Sequence, residues 1–257
     1  MSESIDRTGG RPVYLQIAEE LRQSIVGGSL KPGAPLPPEP ELASHYLASR
    51  GTVRHAISVL KLEGLIDIEQ GRGMFVRRRP PVRRLGHDRF ARSHREAGKA
   101  AFIAEVEAEG RKPDVEVLEV APAPAPSEVA ERLRIRTGTR VLVRRRRYFA
   151  DGQVLELATS YLPWKFVKGS PICEPNPGPG GVYARLEELG HRLKEFTEDV
   201  SARMPLPEEA RMLQLRAGVP VLHLVRTAFD EDDVPVEMCD TLMAADSYVL
   251  NYRLPAD

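Results

Sequence analysis

Ser49-Arg50-Gly51-Thr52-Val53-Arg54, followed by Gln70-Gly71-Arg72-Gly73-Met74-Phe75-Val76, decides the fold of the first part of this chain. Ser49 is a good N-cap for a helix starting at Arg50. The core stripe of that helix is Val53, Ala56, Ile57 and Leu60, and its opposite face carries Arg50, Thr52, Arg54, His55 and Ser58. A guanidinium fork can bond a guanine edge in the major groove, and a hydroxyl can bond a phosphate. Gly64 stops the helix, Leu65-Ile66-Asp67-Ile68 alternates into a strand, and the glycine turn with Met74-Phe75-Val76 completes a hairpin. The hairpin would stand as a basic wing beside the helix.

Upstream, Tyr14, Ile17, Ala18, Leu21 and Ile25 recur at helical spacing over residues 12–27. Gly27-Gly28 ends that helix. A proline-rich turn from Leu30 to Pro38 precedes a short helix from about Glu39 to Tyr46, with Leu42, Ala43 and Tyr46 inward. Pro38 and Pro40 are tolerated because the first turn of a helix has unpaired N–H groups anyway. Three helices and a hairpin predict a winged helix-turn-helix over residues 1–76.

Charge is distributed unevenly although the net charge is zero. Residues 1–76 carry 8 Lys and Arg against 9 Asp and Glu, residues 77–99 carry 9 against 2, and residues 100–257 carry 20 against 26. The basic block directly after the wing lacks periodicity. It reads as a linker with phosphate affinity; a solvated linker with no such role is the plainer reading. Nothing approaches the roughly 18 apolar residues that span a bilayer, and MSESIDRTGGRP has no apolar core of a signal peptide. Cys173 and Cys239 are far apart and suit a reducing cytoplasm, without a disulfide. The six histidines show no metal-ligand spacing, so neither metal nor cofactor is expected.

Residues 100–257 mix strands and helices. Val115 to Val120, Arg140 to Phe149 and Val154 to Leu162 read as strands, the latter two joined at Ala150-Asp151-Gly152-Gln153. Ser127 to Leu133 and Gly181 to Leu189 read as helices. Val219 to Phe229 and Val234 to Met243 form another hairpin. An antiparallel sheet with helices on one side is expected, and the class is α+β. Each half runs helix, then Gly-(Thr or Val)-x-Val-Leu, then a strand ending in an Asp-rich turn. That similarity suggests a duplication with one pocket between the halves. In Arg144 to Arg147, alternate side chains point to opposite faces. Arg144 and Arg146 are expected to face a pocket and bind an anion, or else to serve as surface charge or a dimer contact. Glu237 could accept from a ligand or pair with an arginine, and Trp164 reads as packing. Gly178-Pro179-Gly180-Gly181 has no following Lys-Ser/Thr and reads as a loop over the pocket entrance rather than a P-loop.

The N-terminal part resembles the GntR family of bacterial transcriptional regulators. The resemblance rests on Pro12 to Ile17, Gly28 to Gly33, Leu36-Pro37, Glu41-Leu42-Ala43, Ser49-Arg50, Thr52-Val53-Arg54, Gly64-Leu65-Ile66 and Gln70 to Gly73. The remainder is similar to the UTRA effector domain of the HutC-like subfamily. There it rests on Leu133, Gly138-Thr139, Arg146, Asp151-Gly152, Ser160 to Pro163, Tyr183, Glu237 and Asp246-x-Tyr248. The resemblance implies a chorismate-lyase-like fold and a homodimer on a palindromic operator in double-stranded DNA. It also implies release, or sometimes tightening, when a small metabolite fills the UTRA pocket, usually in a repressor. It assigns DNA contacts to Ser49, Arg50, Thr52, Arg54, Gln70, Gly71 and Arg72. The expected effector site is Arg144, Arg146, Tyr148, Ser160, Tyr183 and Glu237.

Three departures bear on the DNA: Pro40 stands where the family has an arginine, Leu47 where it has glycine, and Gly51 where threonine is commoner. An atypical operator is therefore expected. In the pocket, Ala101-Phe102 lacks the family's serine, Tyr148 replaces a second arginine, Met243 a tyrosine and Gly181 a serine. Losing those groups leaves phosphate oxygens unpaired. The effector is therefore expected to be anionic but not an amino-sugar phosphate. Two competing readings are an enzyme, a lyase or hydrolase on the same C-terminal fold with a DNA-binding head, and a winged helix that binds protein. The sequence shows no Gly-x-Ser-x-Gly motif, no Cys/His pairing and no metal motif to support the first. The exposed Arg50 and Arg54 argue against the second.

Overall fold

The structure is a computed structural model that describes residues 10–69, 71–77, 82–85 and 100–252. The chain divides into two compact units, Met1–Pro80 with Arg216–Val219, and Pro81–Leu215 with Pro220–Asp257. The first contains helices α1 (Val13–Val26), α2 (Glu39–His45) and α3 (Arg50–Leu62), then strands β1 (Ile66–Glu69) and β2 (Gly73–Val76). The strands pair antiparallel, Ile66 opposite Val76 through Glu69 opposite Gly73. Ile17, Ala18 and Leu21 of α1 meet Leu42 of α2 and Val53, Ala56, Ile57 and Leu60 of α3 in one buried cluster. Those are the stripes that the 3.6-residue period selects.

Leu47, in the turn between α2 and α3, has φ 47° and is 78% exposed. A branched side chain in the left-handed region is strained by about 1–2 kcal/mol. Leu47→Gly is expected to stabilise this unit by about 1 kcal/mol, net of glycine's extra unfolded-state entropy. A thermal melt that shows no gain would place the strain elsewhere.

The second unit contains β3 (Val82–Leu85), α4 (Ala101–Ala108), β4 (Pro113–Pro124), α5 (Ser127–Arg132), β5 (Arg140–Ala150), β6 (Gln153–Pro163) and α6 (Trp164–Val167). It continues with α7 (Gly181–Glu188), β7 (Leu193–Arg203), α8 (Pro207–Met212), β8 (Val221–Asp230), β9 (Pro235–Ala244) and β10 (Tyr248–Asn251). Six strands form one antiparallel sheet in the order β4-β5-β6-β9-β8-β7. With β4, β5 and β6 matched to β7, β8 and β9, that order reads the same from either edge. Gly110 and Gly190, Leu133 and Leu213, Gly138 and Gly218, and Arg146 and Arg226 each stand 80 residues apart. Arg134 and Gln214, equally spaced, both adopt left-handed backbone, at φ 51° and 52°. The two halves are thus one helix-strand-helix-hairpin unit used twice.

The helices cover both faces of the sheet, not one as the strand pattern suggested. Leu142 packs with Val182 and Leu186 of α7, and Phe102 and Val106 of α4 pack with Ala150, Leu155, Leu224 and Met243. On the opposite face α5 buries Val129 and Ala130 against Val141, Val143, Val225 and Met238. Leu213, which follows α8, joins Val154, Val221 and Leu242 there. Alternating apolar residues on both faces of β5 required this. β7 was not anticipated, because its side chains are mostly exposed on both faces and give no period-2 signal.

Most of the expected linker 77–99 lies outside the described residues. Two ends of it depart from a plain solvated linker. Arg77 is buried, with Nε 3.1 Å from Asp67 Oδ1, and Val82–Leu85 forms a parallel ladder with Tyr248–Asn251. A strand whose partner lies more than 150 residues away leaves no local signature. Among the described residues no helix is long and apolar enough to cross a membrane. Nor does any group of three or more His, Cys, Asp or Glu there converge as metal ligands do.

Candidate DNA-reading face and effector pocket

In the first unit, α3 begins as its cap predicts. Ser49 Oγ accepts from Thr52 N at 3.1 Å and lies 2.9 Å from Thr52 Oγ1. The two hydroxyls expected at phosphates therefore also fix each other and the helix start. Arg54 is 68% exposed and pairs with Glu39 at the start of α2, Nη2 to Oε2 at 3.0 Å. Arg50 is exposed at the first turn. His55, on the exposed face of α3, stacks on Tyr14 with ring centroids 3.8 Å apart. At the wing, Gly71 has φ 77°, a conformation suited to glycine at a tight tip. Arg72 is 75% exposed and paired with Glu69 at 2.6 Å. Gln70 lies outside the described residues.

In the second unit, the pocket-facing side of β5, β6, β8 and β9 and the N-terminal turns of α4 and α7 enclose a cavity of about 670 Å³. Ala100 to Ile103 and Gly180 to Tyr183 line it, meeting where Gly181 approaches Ala100. Pro175 to Gly178 also line it, as do Gly180 and Gly181 of the glycine-proline stretch read as an entrance loop. Gly180 caps α7 with φ 75°.

The alternation of β5 sends Arg144, Arg146 and Tyr148 to the cavity, while Arg147 on the other face is held by Glu116 at 2.6 Å. The cavity-side arginines differ in what surrounds them. Arg144 is 1% exposed. Its guanidinium donates to the carbonyls of Ile172, of Glu174 at 2.6 Å and of Pro175 at 3.0 Å. Burial, with the Arg146 cation adding to it, pushes its pKa down to about 10. Arg144 therefore braces the entrance loop rather than standing open to a ligand.

Arg146 donates to Ser160 Oγ, and its Nε is buried without a hydrogen-bond partner among the described residues. No carboxylate there forms an ion pair with it. Its Cζ lies 5.7 Å from the Tyr148 ring centroid, and Tyr148 in turn packs on Phe102 with centroids 4.7 Å apart. Ser160 is fully buried and is not among the lining residues, so its expected ligand contact is corrected to a brace under Arg146.

The second half puts Arg226 where the first has Arg146, but its charge is answered from within. Arg226 Nε donates to Tyr183 Oη at 3.0 Å, and its fork lies 3.8 Å from both Glu198 and Glu237. Tyr183 Oη donates to Glu237 Oε2 at 2.5 Å. Burial raises the Tyr183 pKa well above its ordinary value, against the pull of Arg226 and with the push of Glu237. Tyr183 and Glu237 thus both line the cavity, as expected, but as one hydrogen-bonded wall with Arg226. Arg226 escaped the sequence reading, although its 80-residue spacing from Arg146 is visible there. The register also makes Glu156 the counterpart of Glu237: Tyr148 faces Glu156 as Ala228 faces Glu237. Glu156 lines the cavity and accepts from Tyr248 Oη at 3.0 Å.

The model of the bacterial regulatory proteins of the gntR family matches residues 13–76, and that of the UTRA domain matches residues 108–249. An HTH-type transcriptional regulator of Streptomyces coelicolor is 32% identical over 247 residues, covering 94% of this chain and 92% of that protein. The HTH-type transcriptional repressor NagR of Bacillus subtilis is 25% identical, covering 95% and 96%. A crystal structure assigned to a GntR-family transcriptional regulator superposes with a TM-score of 0.66 at 34% identity, covering 96% of this chain and 99% of that one. A winged helix with an exposed arginine face, a duplicated sheet around a cation-lined cavity, and these likenesses along nearly the whole length agree. The chain belongs to the GntR family of bacterial transcriptional regulators, in the HutC-like group that carries a UTRA effector-binding domain.

Proposed function

We propose that the chain is a cytoplasmic repressor that binds a palindromic operator as a homodimer and yields it when an anionic metabolite occupies the UTRA cavity. Residues 1–76 would read DNA, 77–99 would link, and 100–257 would sense and dimerise. The observation that carries the effector class is Arg146, a cation in a cavity with no ion-pairing carboxylate among the described residues. Buried charge is costly unless it is answered, so a ligand anion gains there what Arg226 already has from Glu198 and Glu237. A carboxylate suits this site better than an amino-sugar phosphate, because only one cavity arginine is left open to it. The wall from Tyr183 to Glu237 holds its carboxylate in place, which supports binding rather than proton transfer and a chain without catalytic activity. A thermal-shift screen of metabolic carboxylates and sugar phosphates tests the reading, since a ligand of the folded state raises its melting temperature. If only phosphates shift the melt, the class is wrong.

On DNA, Ser49, Arg50, Thr52, Arg54, Gln70, Gly71 and Arg72 are the proposed contacts. Two copies would place two α3 helices in successive major grooves. Arg54→Ala is expected to weaken operator binding by about 1–3 kcal/mol, and binding by the native chain should weaken steeply with salt. A gel shift unchanged by the substitution would remove Arg54 from the reading face.

A further inference from the structure

One side chain joins the cavity to the strand by which the chain enters the second unit. Glu156 is buried and lines the cavity. Its Oε2 accepts from Tyr248 Oη at 3.0 Å. Tyr248 is itself buried, in the cluster that contains Phe102 and Val106 of α4, and Phe102 is a second cavity-lining residue. Tyr248 therefore reaches the cavity wall directly through a carboxylate, and it shares a buried cluster with a second lining residue. It is also the first residue of β10, which pairs with β3 in the register Tyr248 opposite Val82 through Asn251 opposite Leu85. In the sequence only residues 78–81 lie between β3 and Arg77, the last described residue after the wing.

The β3–β10 ladder has the properties of an element with two states. It is parallel, two-stranded and four pairs long. Parallel pairing is the weaker kind per residue, and isolated two-stranded ladders are marginal in water. What holds β10 in place is the burial of Tyr248 and the partial burial of Leu250 in the α4 cluster. Small shifts at Glu156 or Phe102 can therefore decide whether the ladder is made.

We propose that Tyr248 is the positioning residue that carries occupancy of the cavity to the β3–β10 ladder, and through it to the tether of the DNA-binding unit. This rests on the reading of the chain as an effector-controlled DNA binder. A ligand that draws Glu156 into its own hydrogen bonding takes the acceptor from Tyr248, frees β10, and moves the point at which the tether leaves the second unit. Coupling then runs through a bistable pairing that both ends can bias, which is the physical requirement for allostery.

The test uses the full-length protein and needs no identified effector. An operator is first selected from a random duplex library by the native chain. Operator affinity is then measured by fluorescence anisotropy for the native chain, Tyr248→Phe, Glu156→Gln and the double variant. Amide exchange is followed in parallel over residues 82–85 and 248–251. Tyr248→Phe keeps the buried ring and deletes only the hydroxyl. It is expected to change operator Kd about fivefold or more and to speed exchange in both strands. Glu156→Gln should move both readouts in the same direction, and the double variant should move no further than the larger single change. Native Kd and native exchange in Tyr248→Phe would overturn the proposal, as would independent addition of the two changes. If Tyr248→Phe does not fold, Glu156→Gln carries the test on the same two readouts. Failure of the native chain to select any duplex would instead sink the DNA reading, and this inference with it.

Discussion

Replacing Arg146 by alanine is expected to abolish the response to effector while leaving operator affinity at its native level. The guanidinium is a cavity cation with no ion-pairing carboxylate among the described residues, and unlike that of Arg144 it is not taken up by loop carbonyls; Ser160 beneath it holds the fork in place. Truncating one member of a desolvated charge pair costs about 2–5 kcal/mol or more. Effector affinity should therefore fall at least about thirtyfold, read as loss of the ligand-induced thermal shift. The same substitution at Arg226 would be a different experiment. It would strand Glu198, Glu237 and Tyr183 without their common cation and would report on folding. If induction persists in Arg146→Ala, the anion binds elsewhere.

Arg144→Met is expected to lower the stability of the UTRA unit by about 2–4 kcal/mol, or about 5–15 °C in melting temperature. Two effects oppose each other. Burying the charge is unfavourable and, with the Arg146 cation beside it, holds the pKa down to about 10. A depression of that size corresponds to a penalty on the order of 3 kcal/mol. Against it stand three hydrogen bonds from a charged donor to the carbonyls of Ile172, Glu174 and Pro175, each contributing about 1.5–3 kcal/mol. The bonds win, and methionine would leave the carbonyls unanswered. Arg144→Lys, which keeps the charge but not the fork, should recover only part of the loss. A melt of Arg144→Met that matches the native protein would show that the loop does not depend on this clamp.

Much of this was legible because it is local. The cap at Ser49, the stripe of α3, the wing glycine and the alternation along Arg144 to Arg147 depend on neighbours within a few residues. The helix-turn-helix and the orientation of Arg144 and Arg146 follow from them. What stayed hidden depends on partners far along the chain. Ser160 reads as a ligand hydroxyl until Arg146 is seen resting on it. Arg144 reads as a ligand contact until three carbonyls from a loop 28 to 31 residues on are seen to occupy it. Strand β3 has no signal of its own, because its ladder closes only with the C-terminal strand. Helices on both faces of the sheet are implied by the apolar residues on both faces of β5, but its run of four arginines masks that pattern.

The repeat of 80 residues has a consequence for how such a sensor can change. Two copies of one scaffold stand side by side in one sheet, and the carboxylates around each arginine decide how much positive charge its half leaves for a visitor. Substitutions around Arg146 can alter what is recognised, while the copy around Arg226 continues to fasten the sheet. Selection can thus retune one half without putting the other at risk, and new metabolic signals can be acquired without a new architecture.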